Sequence, residues 1–217
     1  MHSRQICNES IISLCLCFVF MSSGCKQKDK NVEHVVPPPV AYKVDSATLS
    51  ESGNSTRPPV INITDTISEK RMVLVMKDSA ASSERIGAKM LNIYNKILPD
   101  IIKSQNLKTT GPRIAWYKTS SPPFFFEAGL PINKKPGKLP KNVYVKNIAA
   151  DSAVVAHFYG PYSLTFQAYE ALDEWMKSYK KRSAGSPYEI YINEMYDSTG
   201  RAVDPYRVRT DIVFPHK

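Results

Sequence analysis

Two short segments of the 217-residue chain place a carboxylate among aromatic side chains. Residues 123–132 read PFFFEAGLPI, with Phe125 close to Glu127, and residues 188–196 read YEIYINEMY. A carboxylate on an apolar, aromatic surface is costly without a partner, so a cationic ligand would find a pre-positioned counter-charge there. Aromatic faces beside carboxylates also suit flat or cationic ligands. These two segments are therefore the first candidates for a binding site.

Alternation along the second segment sorts its side chains onto the two faces of a strand. The isoleucines share one face and are expected to pack under a helix, which leaves Glu189 and Tyr191 directed toward a groove. The alternative is that Glu189 is a structural carboxylate, satisfied by tyrosine hydroxyls or by Arg207 or Arg209, because paired structural carboxylates are common.

Catalytic and metal-binding patterns are missing from the sequence. It contains no Ser-His-Asp order and no GxSxG elbow. His157 has no second histidine or acidic neighbour at ligand spacing and is interpreted as structural. The sequence therefore predicts no catalytic residue, no metal site and no cofactor, and it favours binding over catalysis. Two alternatives stay open: a hydrolase in which Glu127 or Glu189 activates water, and a module that binds a peptide or protein.

The first 24 residues resemble an export signal. Residues 11–21 form an apolar run of eleven, too short to span a bilayer but typical of a signal-peptide core. Small residues then precede Cys25, an order that resembles a bacterial lipoprotein signal, although Ser22 stands where an aliphatic residue is usual. We expect residues 1–24 to be removed and Cys25 to be lipidated, with plain secretory cleavage as the alternative. The protein would then be exported and lipid-anchored in the bacterial envelope, on the periplasmic side or the cell surface.

Composition divides the remaining chain into two parts. Residues 25–63 are polar and interrupted by prolines, which predicts a flexible tether, and residues 64–217 are expected to form the folded domain. The formal net charge is +9, which favours anionic surroundings such as a membrane surface. Nucleic acid is not predicted as a partner, because export removes the chain from DNA and neither a helix-turn-helix pattern nor an Arg-rich stripe occurs.

The folded part contains an internal repeat of strand, helix, strand and strand. The predicted elements are 71–76, 82–105, 113–118 and 123–132 in the first unit, and 153–159, 163–181, 188–196 and 206–215 in the second. Pro99 must kink or split the first helix. We predict an α+β fold, a tandem βαββ repeat with pseudo-two-fold symmetry. Its antiparallel sheet surface would form a groove between the halves, with the helices on the opposite side.

Aligning the two units on their closing prolines pairs Trp116 with Tyr191 and Glu127 with Asp211. The groove would then have two related aromatic walls, with Phe125 beside one carboxylate. A tyrosine after the Gly160-Pro161 turn would stand at its edge. The predicted ligand-binding residues are Trp116, Phe125, Glu127, Tyr162, Glu189 and Tyr191.

Five motifs carry a family resemblance: TTGPRIAWYK, FFFEAGLPI, AVVAHFYGPYSLTFQAYEALDEW, SPYEIYIN and TDIVFP. In this order and spacing they resemble the GyrI-like domain, also called the AraC-type effector-binding domain, which is related to SOUL proteins. The resemblance covers most of residues 70–217 and implies a tandem βαββ fold. It also implies a groove that binds small organic molecules, often aromatic or cationic, and Glu189 matches the acidic residue that members direct at cations.

Members of this family have several roles. Some sense drugs for a transcription regulator, one group inhibits DNA gyrase, and some are reported as hydrolases. Export would separate this chain from gyrase. The sequence thus predicts a lipid-anchored protein that binds or sequesters a small hydrophobic or cationic organic molecule.

Overall fold

The computed structural model describes residues 57–197 and 199–217. The predicted signal peptide (residues 1–24), Cys25 and the tether up to residue 56 lie outside the described residues. Among the helices that are described, none has both the length and the apolar character needed to cross a membrane.

Eight strands and three α-helices make up the described fold. The strands are β1 (Val60–Ile67), β2 (Arg71–Ala80), β3 (Arg113–Tyr117), β4 (Phe124–Pro131), β5 (Val143–Ile148), β6 (Ser152–Tyr159), β7 (Tyr188–Tyr191) and β8 (Arg209–Pro215). The helices are α1 (Glu84–Asn92), α2 (Leu98–Ser104) and α3 (Thr165–Ser178). A π-helical turn, Ile93–Ile97, joins α1 to α2 just before Pro99, whose missing N–H cannot complete a regular helical ladder. The predicted split at Pro99 is confirmed.

The helices cover the sheet with apolar stripes whose members recur at helical spacing. From α1 to α2 the buried side chains include Ile86, Met90, Ile93, Tyr94, Leu98 and Ile102. On α3 they include Ala168, Tyr169, Leu172 and Met176. Each stripe packs on the strands of its own unit, so each half of the sheet has a core beneath its helix.

The two βαββ units meet at β3 and β7, in the centre of an antiparallel sheet with the order β1-β6-β8-β7-β3-β4-β2-β5. Equivalent contacts recur in both units. The Thr110 amide donates to the carbonyl of Pro131 at 3.0 Å, and the Ala184 amide donates to the carbonyl of Pro215 at 2.9 Å. The predicted α+β fold and its tandem repeat with pseudo-two-fold symmetry are confirmed.

The outermost strands cross between the units. β1 pairs with β6 and β5 pairs with β2, so each unit is completed by a strand from the other half of the chain. Three residues join β1 to β2, although five strands separate them in the sheet. A flat sheet would place them about 29 Å apart, whereas the connection spans at most about 14 Å. The sheet therefore curls until its edges approach, and Ser68 Oγ donates to the carbonyls of Ala149 and Asp151 across the two turns.

The sequence does not predict β1 as a strand. It begins at Val60, four residues before the predicted start of the domain at Thr64. Its sequence, VINITDTI, leaves most of its side chains exposed, so it resembles the polar tether that precedes it. The strand is fixed by backbone pairing with β6, a long-range contact that has no local signal.

Curling gives the sheet a convex face, which carries the helices, and a concave face, which packs on itself. The concave core consists of Val73, Val75, Ile114, Trp116, Ala153, Val155, Tyr188, Ile190 and Val213. Ile114 and Ile190 are cross-strand partners at the join of the units and share this face. The next pair along, Ala115 and Glu189, consequently points toward the helices. Central strands are thus buried on both faces.

Candidate ligand-binding site

The six predicted site residues are divided between the two faces of the sheet. Those on the convex, helix-bearing face are Tyr162, Glu189 and Tyr191, and those on the concave face are Trp116, Phe125 and Glu127. They therefore form two separate groups rather than one groove.

The expectation that the isoleucines of 188–196 pack under a helix is wrong. Ile190 belongs to the concave core with Trp116, whereas Glu189 is fully buried on the helix side. The rule that the apolar side chains of a strand face the covering helix fails here, because the curled sheet also needs apolar side chains on its inner face. Hydrophobicity alone therefore does not mark the side on which a helix packs.

The predicted equivalence of Trp116 and Tyr191 is also wrong. Counting five residues from the glycine that precedes each central strand, Gly111 or Gly185, leads to Trp116 in one unit and to Ile190 in the other. A shift of one residue moves a strand side chain to the opposite face. The partner of Tyr191 in the repeat is therefore Tyr117, the residue after Trp116, which lies on the convex face.

Glu189 is held by tyrosine hydroxyls. Tyr162 Oη donates to Oε2 of Glu189 at 2.7 Å, and Tyr169 Oη donates to Oε1 at 2.9 Å. Tyr162 begins a short 3₁₀ turn after Gly160-Pro161, and Tyr169 belongs to the buried stripe of α3. No ion pair to Glu189 occurs within the part of the chain that the structure describes. Of the two alternatives considered for its partners, tyrosines are observed and arginines are not.

Further hydroxyls extend this arrangement across the join of the two units. Tyr117 Oη lies 2.9 Å from Tyr162 Oη and 3.0 Å from Tyr191 Oη. Tyr162 and Tyr191 approach each other at 3.4 Å between hydroxyl oxygens. Tyr117 is the repeat equivalent of Tyr191, so the pseudo-symmetry brings these two hydroxyls together. We call Tyr117, Tyr162, Tyr169 and Tyr191 the tyrosine cluster.

Burial dominates the protonation of this cluster. It raises the pKa of Glu189 above its usual range, although hydrogen bonds from Tyr162, Tyr191 and Tyr169 act in the opposite direction. Burial and the charge of Glu189 also raise the pKa of Tyr162, Tyr169 and Tyr191 well above normal. These three tyrosines therefore remain neutral hydroxyl donors beside Glu189.

A pocket opens beside the tyrosine cluster on the helix-bearing face. Its walls include Met90 and Tyr94 from the helical segment, Tyr162 and Tyr191 from the cluster, and the loop 193–196. Its cavity volume is about 70 Å³. Sites for drug-sized ligands occupy roughly 300–1,000 Å³, so a ligand of that size would require the loop or the side chains to move.

An ion pair ties the loop over this pocket to the sheet. Arg113 Nη1 donates to Glu194 Oε2 at 2.7 Å, and Nη2 donates to Asn95 Oδ1 at 3.0 Å. The guanidinium carbon also lies 5.4 Å from the centroid of the Tyr94 ring. Because the Glu194 side chain is 64% exposed, this contact is a solvated rim and not part of the core.

Glu127 has different surroundings on the concave face. Lys146 Nζ donates to its Oε2 at 2.6 Å, and Lys118 Nζ lies 3.5 Å from the same oxygen. Lys146 Nζ also lies 4.1 Å from the centroid of the Trp116 ring. Burial opposes ionisation of Glu127, but hydrogen bonds from Lys146 and Tyr144 outweigh it and lower the pKa of the carboxyl. This carboxylate already has its cations.

Asp211, the repeat equivalent of Glu127, is likewise paired. Arg209 Nε donates to its Oδ1 at 2.7 Å, and Arg209 Nη2 donates to its Oδ2 at 2.8 Å. His157 Nδ1 lies 2.8 Å from Asp211 Oδ1, as expected for a structural histidine. Within the described residues, no group of three or more His, Cys, Asp or Glu side chains could hold a metal ion.

Comparison with known proteins identifies the fold. The model of the GyrI-like small molecule binding domain matches residues 115–217, from the centre of β3 through the whole second unit. This part of the chain is similar to a GyrI-like domain. Among curated proteins, no sequence matches the chain.

Solved structures agree with this GyrI-like fold. The EcmrR C-terminal domain matches with a TM-score of 0.59 and 19% identity, covering 73% of this chain and 98% of that one. EcmrR in a DNA complex matches with a TM-score of 0.58 and 20% identity over 73% of this chain. The chain spans 57% of the EcmrR chain in that complex.

Four residues of this candidate site escape prediction from sequence. Tyr117 could have been found from the repeat, had the units been aligned on their glycines. Tyr169 is hidden within an apolar helical stripe, where an aromatic residue normally indicates core. Arg113 is partly buried and Glu194 is exposed, and the role of both charges depends on a loop contact across 81 residues of chain.

Proposed function

We propose that this protein is an envelope-anchored, GyrI-like lipoprotein that binds or sequesters a small hydrophobic cation in the pocket beside the tyrosine cluster. We call it the Glu189 pocket, because Tyr162 in its wall donates a hydrogen bond to Glu189. The observation that supports this most directly is a fully buried carboxylate whose hydrogen-bond partners are neutral hydroxyls. Such a group is poorly compensated when ionised, since burial disfavours its charge. A ligand cation would provide the missing opposite charge.

The aromatic rings that line the pocket suit a flat cation. The Tyr94 and Tyr191 rings meet edge to face with centroids 6.5 Å apart, and those of Tyr162 and Tyr191 are 6.3 Å apart. Aromatic faces attract cations through their quadrupole, and they exclude water from the charge. Tyr162 stands between the pocket and Glu189, so ligand entry would shift this side chain or use its hydroxyl as a bridge.

Binding is favoured over hydrolysis by the state of the carboxylate. Both oxygens of Glu189 already accept hydrogen bonds from tyrosine hydroxyls. This arrangement suits a carboxylate that neutralises a bound cation better than one that takes a proton from water. We propose no nucleic-acid partner, because export would separate the protein from DNA. Recovery of unchanged ligand after prolonged incubation supports binding, whereas time-dependent product formation would support the enzyme.

The test replaces Glu189 with Gln, which keeps its shape and removes its charge. The probes are N-methylquinolinium and its neutral analogue 1-methylnaphthalene, titrated calorimetrically against the full chain. Affinity for the cation should fall about tenfold or more, since hydrogen bonds to charged groups contribute about 1.5–3 kcal/mol. Affinity for the neutral probe should change by less than about twofold.

Glu127→Gln is the matched control, because it makes the same chemical change in a buried carboxylate on the opposite face. It should leave the affinity for N-methylquinolinium unchanged. Parallel losses for both probes in Glu189→Gln, together with a lower melting temperature, would show that Glu189 supports the fold and not the ligand.

Anchoring is tested separately at Cys25. Lipidation by several acyl chains holds a protein firmly in a membrane, whereas attraction between basic residues and anionic lipids is lost in high salt. Cys25→Ala should therefore release the protein from salt-washed membranes or leave it unprocessed. Equal retention of both proteins after the wash would overturn the proposed lipid anchor without affecting the ligand site.

A further inference from the structure

The concave face carries a concentration of positive charge that the Glu189 pocket does not use. Three lysines from three different segments gather around Glu127: Lys146 on β5, Lys118 just after β3, and Lys77 on β2. Lys77 is the cross-strand partner of Glu127, and its Nζ lies 4.8 Å from the centroid of the Tyr144 ring. Tyr144 in turn lies near enough to Glu127 to help lower the pKa of that carboxyl. We call these three lysines with Glu127 the lysine cluster.

Charge within the lysine cluster is unbalanced. Two ammonium groups share one oxygen of Glu127, and the third contacts an aromatic ring instead of a carboxylate. Among the contacts between described residues, two of the three positive charges therefore have no carboxylate of their own. The equivalent place in the other unit is balanced, since Arg209 binds both oxygens of Asp211. The excess is thus particular to one half of the repeat.

The cluster is accessible to a ligand, although its base is buried. Glu127 is 8% exposed at its side chain, whereas Lys118 and Lys146 are 34% and 28% exposed. Phe125, on the same face of β4, is an exposed aromatic residue. An anion placed over the ammonium groups could therefore rest an apolar substituent on Phe125. Ammonium groups donate up to three hydrogen bonds each, so they retain donors beyond Glu127.

We propose that the lysine cluster binds a phosphate monoester, either a soluble one or the headgroup of a lipid such as phosphatidic acid. A phosphate monoester carries about −1.5 to −2 charges near pH 7 and has three acceptor oxygens. This matches the uncompensated positive charge, and charge-assisted hydrogen bonds of this kind are strong ones. The site is distinct from the Glu189 pocket, which lies on the other face of the sheet and favours the opposite charge.

Binding is measured on the full chain by calorimetric titration with phenyl phosphate, and by co-sedimentation with vesicles that contain phosphatidic acid or only phosphatidylcholine. We expect a dissociation constant for phenyl phosphate on the order of 1 mM or tighter. Saturable binding of phenyl phosphate indicates a soluble ligand. Binding to phosphatidic acid vesicles alone indicates a headgroup. Absence of binding in both arms overturns the proposal.

Three variants test the assignment of residues. The double variant Lys77→Gln, Lys118→Gln leaves the Lys146–Glu127 pair intact and should weaken binding on the order of tenfold. Glu127→Gln removes the only carboxylate of the lysine cluster and should tighten binding several-fold. Lys177→Gln, an exposed lysine on α3, is the control and should change nothing. An equal loss in the control, or weaker binding by a still-folded Glu127→Gln protein, would contradict a site at the lysine cluster.

Discussion

Glu189 and Glu127 are both buried carboxylates on strands of one sheet, yet their surroundings are opposite. Glu189 is 0% exposed and is bound by hydroxyls, whereas Glu127 is 6% exposed and is bound by ammonium groups. The pKa of Glu189 is raised by burial, and that of Glu127 is lowered because its cations and Tyr144 outweigh burial. The partner atoms, not burial or aromatic neighbours, therefore distinguish a carboxylate that lacks a cation from one that has several.

The repeat explains why the two carboxylates are not equivalent. Glu127 corresponds to Asp211, and each is paired with a cationic side chain, so a paired carboxylate at this position is a feature of both units. Glu189 corresponds to Ala115, which has no polar side chain. The tyrosine cluster is therefore built once, at the join, with hydroxyls contributed by both units. The two equivalent units provide the surrounding hydroxyls, and Glu189, which has no acidic equivalent in the other unit, provides the carboxylate.

The largest effect that separates the two carboxylates is expected in stability. Glu127→Gln leaves Lys146 and Lys118 without their shared counter-charge, and it should lower the free energy of unfolding by about 2 kcal/mol at pH 7. The loss is smaller than for a fully buried ion pair, because both lysines keep contact with water. Glu189→Gln should not be destabilising at this pH, because it removes a charge that burial disfavours. Urea denaturation of both variants beside wild type measures the difference. A larger loss in Glu189→Gln than in Glu127→Gln would reverse the comparison.

The same two sites show what the sequence predicts and what it does not. The order of elements, the repeat and the split at Pro99 follow from periodicity and from proline and glycine chemistry, which are local. The division of the site between two faces depends on the curl, and the curl depends on β1 and β5 crossing to the opposite unit. Those pairings join segments far apart in the chain, so no local pattern reveals them. The sequence therefore groups Trp116 with Tyr191, although the two side chains face opposite sides of the sheet.

A second separation is expected in the pH dependence of stability. The pKa of Glu189 is raised in the folded state, so its contribution is fully present below the unfolded pKa, near 4.5, and is lost as the pH rises through the folded pKa. The pKa of Glu127 is lowered, so its contribution is present above the unfolded pKa and is lost as the pH falls through the folded pKa. The stability difference between wild type and each Gln variant, measured between about pH 3 and pH 8, should therefore slope in opposite directions.

The pH dependence of ligand affinity distinguishes a Glu189 that binds the ligand from one with a purely structural role. Affinity for N-methylquinolinium should rise, by up to about tenfold, as the pH passes upward through the folded pKa of Glu189, because only the ionised carboxylate attracts the cation. The rise should disappear in Glu189→Gln and persist in Glu127→Gln. A flat profile in wild type would mean that the pocket does not use this charge.

The smallest expected effect concerns the rim of the pocket, where Arg113 places a positive charge beside a site for cations. Glu194 now compensates that charge across 2.7 Å. Exposed pairs of this kind contribute less than about 1 kcal/mol, so Glu194→Gln should barely change the melting temperature. Affinity for N-methylquinolinium should nevertheless fall about twofold to threefold at low salt, because the freed guanidinium repels the ligand, and the loss should shrink as salt is added. Titration with 1-methylnaphthalene separates this charge effect from opening of the loop. If the affinity for the neutral probe changes by a similar factor, the ion pair acts by holding the loop 193–196 in place. The charge of Arg113 would then have no part in selecting the ligand.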